Sequence, residues 1–312
     1  MNGGSAPGTR RAELLLLLAA AIWGFAFVAQ KAGMSHVGPF TFNGIRFALG
    51  GLALLPWILR RRGRPGTGGA ASGGRPLLPL LRPGIAAGLV LFLGASLQQI
   101  GIVYTTAGKA GFITGLYVIF VPILGALGGR MPGRAAWAGA SLATAGLYLL
   151  GIEGRAGFAR GDLLVLASAL FFAVHVLLIG RLSGERRLPA IPLAAAQYGT
   201  VSAASLLAAA FVESATLGGV LGAAWPILYG GVLSVGVAYT LQVAGQRSAP
   251  PAHAAVILSL EAVFAAIGGF IVFGERIPAR GLAGCALMLG GILVSQRGAL
   301  SRAGRAAPEG KG

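Results

Sequence analysis

The sequence predicts an all-α polytopic membrane protein, with ten transmembrane helices arranged as two inverted five-helix repeats. Three observations carry that expectation. Of the 312 residues, 55% are hydrophobic and only 11% charged, under half the roughly 25% charge of a soluble domain. Apolar runs of about 18 residues or more, the length that crosses hydrocarbon, follow one another from Ala12 to Val294. The second half of the chain also echoes the first.

A hydrocarbon layer of roughly 30 Å takes about 20 helical residues. That ruler fits residues 12–32, 38–60, 84–105, 107–129, 134–152, 162–181, 190–213, 221–246, 251–273 and 279–296. The first span follows Arg10 and Arg11 like a secretory signal, but its apolar character continues past Trp23 to Val28, too long for a signal core, and it is expected to be retained. With the N-terminus inside, eighteen Lys and Arg residues fall on the inner side and five outside, while Lys31 and Arg46 lie within spans. This positive-inside bias predicts a multi-pass plasma-membrane protein with both termini cytoplasmic. The net charge of +17 therefore reports topology rather than a nucleic-acid partner. The single cysteine, Cys285, reads as a small packing residue.

The expected organisation is a cytoplasmic tail (1–11), a first repeat (12–152) with a flexible cytoplasmic loop at 61–83, an external connection (153–161), a second repeat (162–296) and a basic, disordered cytoplasmic tail (297–312). The echo between halves includes Gly133-Arg134 with Gly274-Glu275. Ala138-Gly139-Ala140 and Ala145-Gly146 match Ala283-Gly284-Cys285 and Gly290-Gly291. Pro122-Ile123-Leu124 aligns with Ala262-Val263-Phe264. Five helices per copy is an odd number, so the second copy enters the bilayer from the opposite face, a plan that recurs in carriers with a midplane site.

Three polar groups sit well inside spans, where each costs roughly 2.5 to 3.5 kcal/mol. Lys31, near the outer end of span one, can snorkel to the interface. Arg46 lies about 12 Å below the outer face and Glu261 about 15 Å above the inner one, so both approach the midplane, one from each half. They are expected either to face a central cavity or to form a fastening pair. Glu261, the one acid read as deep, is the candidate for binding a cationic moiety or a coupling proton. Trp23, Tyr117 and Tyr239 are candidate wall residues, and Asn43, Gln98, Gln99, His175 and Gln242 lie at comparable depth. Gln197 and Tyr198 share that depth, and His253 is expected near water. The pairs Gly84/Gly88 and Gly111/Gly115 predict close helix packing inside one chain, consistent with a monomer or weak homodimer.

The strings Ala21-Ile22-Trp23-Gly24-Phe25-Ala26-Phe27-Val28 with Lys31, Tyr104-Thr105-Thr106-Ala107-Gly108-Lys109-Ala110-Gly111-Phe112-Ile113, Leu258-Ser259-Leu260-Glu261-Ala262-Val263-Phe264-Ala265, and Gly274-Glu275 resemble the EamA-type family of the drug/metabolite transporter superfamily. The resemblance spans about residues 12 to 296. It implies a ten-helix permease or exporter of small metabolites, amino acids or drugs, with no ATPase and no cofactor. Two positions depart from the family's habit. Ala262 stands where proline is frequent, which argues against a proline-broken ninth helix, and Arg134 stands where the partner of Gly133 is often acidic.

Enzyme chemistry finds no support. Gly108-Lys109 lacks the rest of a phosphate loop, since Val103 and Ala110 occupy its required positions, and no zinc-protease, CxxC or nucleophile-elbow motif occurs. No metal set is read. The competing class is a non-transporting scaffold or lipid-handling subunit, which a wholly packed interior would favour.

Overall fold

The computed structural model describes residues 7–62, 78–151, 160–273 and 279–306. Every regular element among them is helical, as hydrocarbon requires of backbone amides that have no water to bond. The stretches are α1 (Pro7–Gly33), α2 (Pro39–Leu59), α3 (Leu78–Val103), α4 (Ala107–Leu127), α5 (Arg134–Gly151), α6 (Arg160–Glu185), α7 (Ala190–Val212), α8 (Ala224–Gly245), α9 (Pro251–Val272) and α10 (Ala279–Ala306). Eight of them are long and apolar enough to cross a membrane. α5 and α10 are not among the eight, and the apolar part of α10 is the shorter Ala279–Ser295. Leucines and phenylalanines such as Leu14 and Leu18 of α1, Leu207 and Phe211 of α7, and Leu289 and Leu293 of α10 are exposed at helical spacing. Such stripes suit lipid, not water.

Several boundaries differ from the sequence reading. α1 begins at Pro7, inside the expected tail. α3 begins at Leu78 and carries Pro83 inside its second turn, where one backbone hydrogen bond is given up. α10 continues to Ala306 into the segment read as disordered. A short helix, Leu217–Gly222, precedes α8. Most of the predicted loop, most of the external connection, Gly274-Glu275 and residues 307–312 lie outside the described residues.

Side-chain contacts define two faces. At the face where α1 starts, here the tail face, Glu13 meets His253 of α9. At the opposite, far face, Lys31 at the end of α1 donates to the carbonyls of Ile102 and Thr105 at 2.8 and 2.9 Å. It thus ties down the frayed end of α3 instead of snorkelling. Glu213, following α7, accepts from the N–H groups of Phe40 and Thr41 at 2.8 Å and caps α2. Small residues bring helices close. Gly84 and Gly88 of α3 abut Ala196 and Thr200 of α7, Gly139 and Gly146 of α5 abut Gly291 and Gly284 of α10, and Gly24 of α1 abuts Phe264 of α9.

Two helices change pitch in corresponding places. α4 is interrupted at Leu116, and α9 at Ser259-Leu260. In both, two amides reach back three residues instead of four: Leu116 and Ile119 to the Ile113 and Leu116 carbonyls, and Leu260 and Ala262 to the Ile257 and Ser259 carbonyls. α9 thus breaks, but not at a proline, in keeping with Ala262, and the Ser259 hydroxyl donates to the Val256 carbonyl beside the break. Tyr117 opens the second part of α4 and Glu261 the second part of α9. Aligning the breaks pairs Tyr117 with Glu261 and Pro122 with Ala266, one helical turn away from the register read in the sequence.

Candidate functional site

A chamber between the helices is lined by Trp23, Phe27 and Gln30 of α1, Arg46 of α2, Gln98 of α3, Thr114 and Tyr117 of α4, Phe172, His175 and Val176 of α6, Ser234, Tyr239 and Gln242 of α8, and Leu258 and Glu261 of α9. Eight of the ten candidates named from sequence meet here. Asn43 and Gln99 do not. Asn43 is buried behind Arg46, donating to the Ala95 carbonyl at 3.1 Å and accepting from Arg46 Nε at 2.9 Å. Gln99, next to Gln98 but turned by about 100° on the helix, faces α1 and donates to the Gln30 carbonyl at 3.4 Å.

Arg46 is held from three sides. Its guanidinium lies 5.5 and 5.1 Å from the ring centres of Phe42 and Phe47, a cation–π cradle. Asn43 takes Nε, and Gly230 and Gly231 of α8 leave room for its stem and backbone. α8 is π-helical from Tyr229 to Tyr239, a wide turn of the kind that recurs at functional sites, and it carries Ser234 and Tyr239 to the chamber. Trp23 packs against Tyr239 with ring centres 4.6 Å apart and planes tilted by 59°, and donates its indole N–H to the Ser234 carbonyl at 3.1 Å. His175 Nε2 lies 2.7 Å from Gln197 Oε1, so the histidine's ring is fixed from behind.

Other groups in the wall have no well-formed hydrogen bond among the described residues: Glu261 Oε1, the Tyr117 hydroxyl, Gln30 Oε1 and Gln242 Oε1. Tyr117 and Glu261 nonetheless lie close enough to interact with each other. Arg46 and Glu261, both buried, form no ion pair with each other. The chamber therefore offers a cation on one side, a carboxyl group on another and amide oxygens between, on an aromatic surface. Buried polar groups without partners are costly in a protein interior, and a bound polar molecule would relieve that cost. The volume is about 40 Å³, room for about three waters. A second cavity of about 570 Å³ opens toward the tail face, lined among others by Val121, Arg130, Arg134, Leu177, Glu185, Pro251 and His253. It reaches Val121, one turn beyond Tyr117.

A family model described as the EamA-like transporter family matches residues 10–152 and 159–296, two copies that together span most of the chain. The chain belongs to the EamA-like transporter family. A similar protein is an uncharacterized transporter from Archaeoglobus fulgidus, 32% identical over 303 residues, covering 94% of this chain and 89% of that one. A solved crystal structure superposes with a TM-score of 0.71 at 22% identity over 93% of this chain and 98% of the other, which bears on fold alone.

In this EamA-family protein the chamber lining falls into pairs across the two copies. Trp23 and Phe172 stand at equal distances after Glu13 and Asp162, as do Phe27 and Val176. A single offset carries Gln98 onto Gln242, Thr114 onto Leu258 and Tyr117 onto Glu261. Sequence reasoning passed over Gln30, Thr114 and Ser234, of which a search for paired positions would have raised Thr114. It also underrated Asp162. This acid at the start of α6 is fully buried, accepts from Thr105 Oγ1 at 2.6 Å and pairs with Lys109 Nζ at 2.5 Å. His253, expected near water, is buried between Glu13 and Ser295, 3.1 Å from each.

Proposed function

We propose that this protein is a secondary transporter of small metabolites, amino acids or drugs, built as ten membrane helices in two inverted five-helix repeats with both termini cytoplasmic. It works by alternating access around the central chamber, and export is the direction we favour. The observation that carries the reading is that Arg46 and Glu261, one from each half, open onto one chamber unpaired with each other. Two buried ionisable groups left without a mutual partner are expensive in a membrane interior, whereas a fastening role would be served by a direct pair. A substrate carrying both a negative and a positive group, or a cationic one exchanging with a proton on Glu261, satisfies the arrangement.

The size of the chamber supports alternation. At about 40 Å³ it is too small for a metabolite, so binding requires the helices to part. The tail-face vestibule stands one turn away and supplies the approach. By the positive-inside bias this is the cytoplasmic side, and the plasma membrane is the expected location. The test is an uptake screen of amino acids, amines and drugs in membrane vesicles, with and without an imposed pH gradient. Vesicles containing the protein accumulate or extrude at least one compound faster than empty vesicles. Identical traces for every compound would favour a non-transporting scaffold.

A further inference from the structure

An acid–base pair stands at each face of the bundle, and the two pairs occupy equivalent positions in the repeat. Glu13-Leu14-Leu15 and Asp162-Leu163-Leu164 stand within the first two turns of the first helix of each half. Lys109 and His253 are each the third residue of the fourth helix, in Ala107-Gly108-Lys109 and Pro251-Ala252-His253. The pairs cross between halves. At the far face Lys109 of α4 holds Asp162 of α6, and at the tail face His253 of α9 holds Glu13 of α1.

Those same four helices supply Trp23, Phe27, Thr114, Tyr117, Phe172 and Glu261 to the chamber wall, so each pair joins two wall helices at one end. His253 and Ser295 also line the tail-face vestibule, which places the tail-face pair at the boundary between open space and the closed chamber. At the far face Asp162 has no exposure at all, and breaking a buried pair costs several kcal/mol unless new partners form. Opening either face by parting the halves must break the pair at that face and can leave the other intact.

We propose that Glu13–His253 and Asp162–Lys109 are the two locks of the cycle, equivalent by the repeat and opposite in effect, the first closing the tail face and the second the far face. This rests on the transport reading. The locks act by positioning α1 against α9 and α4 against α6, without touching the substrate. Loss of one lock shifts the resting population toward the state open at that face.

The test uses a single reporter thiol, Ser234→Cys in a Cys285→Ala background, reconstituted in vesicles and labelled from either side with a membrane-impermeant methanethiosulfonate reagent. Glu13→Gln raises the labelling rate from the tail face about tenfold, the factor that follows from about 1.4 kcal/mol of lost coupling, and does not raise it from the far face. Asp162→Asn does the reverse. The charge exchange Lys109→Asp with Asp162→Lys restores the parental rates, which a variant that merely damages folding cannot do. If the parent is labelled from both sides but the variants show no side preference, or change both sides alike, the lock assignment is wrong. If the thiol is never reached from one side in the parent or any variant, the protein does not alternate and the transport reading fails instead.

Discussion

Replacing Gly24 by alanine tests how closely the chamber wall is fitted. A Cβ at Gly24 would meet the backbone of α9, 2.7 Å from the Glu261 carbonyl oxygen and 2.8 Å from the Ala265 nitrogen, besides the Phe264 Cβ. Ordinary contact begins near 3.4 Å, so α1 and α9 must part by at least about 0.7 Å, and more where the nearer Phe264 Cβ stands, an overpacking strain of about 1–3 kcal/mol. No side chain can swing aside, because the obstacle is mainly backbone. At about 2–4 °C per kcal/mol, Gly24→Ala lowers the midpoint of thermal unfolding in detergent by several degrees. Gly199→Ala and Gly290→Ala are the controls, since a Cβ at either position meets nothing within 4 Å, and both hold the midpoint or raise it by about 1–4 °C, because a mid-helix alanine is favoured over glycine by about 0.5–1 kcal/mol. Because Gly24 adjoins Trp23 and presses on Glu261, its variant also slows transport, while the controls do not. Equal melting of Gly24→Ala and Gly199→Ala, measured by fluorescence-detected size exclusion after heating, would refute the packing argument.

Other perturbations follow from the same contacts. Glu213→Ala strips the acceptor from the Phe40 and Thr41 amides and from the Thr41 hydroxyl, so it costs about 1–2 kcal/mol of cap energy and lowers the thermal midpoint; an unchanged midpoint would show that the α2 start is satisfied otherwise. Asn43→Ala leaves Arg46 Nε unpaired beside its aromatic cradle, a loss of about 1–3 kcal/mol in holding the guanidinium. It raises the half-saturation concentration for transport about tenfold or more with protein yield retained, and equal half-saturation would remove Asn43 from the site. The side-selective labelling expected of Glu13→Gln and Asp162→Asn completes the set.

Much of the architecture was legible because bilayer thickness sets helix length and leaves few alternatives for the backbone. Arg46 and Glu261 were legible for the same reason, as charges deep in apolar runs. Gln98 and Gln99 mark the limit: both sit at one depth, and only the rotation of α3 decides that one enters the chamber and the other faces α1. Asp162 and Glu13 stand at the ends of apolar runs, where a sequence suggests contact with water. Asp162 is buried and Glu13 partly covered because Lys109 and His253 are brought to them from distant helices. The break in α9 was hidden because proline is its usual marker and a tightened turn beside Ser259 serves instead. The register of the repeat slipped by one turn because strings of small residues match at many offsets, whereas helix breaks and paired side chains match at one.

The most direct measurement of the central claim is transport of a screened compound by Glu261→Gln in reconstituted vesicles, beside the parent at matched protein content. The substitution keeps the size of the side chain and removes its charge and its proton, in a chamber where Glu261 Oε1 has no well-formed hydrogen bond. Transport falls to the level of empty vesicles while the variant elutes and melts like the parent. Uptake at the parental rate with parental pH dependence would contradict the account.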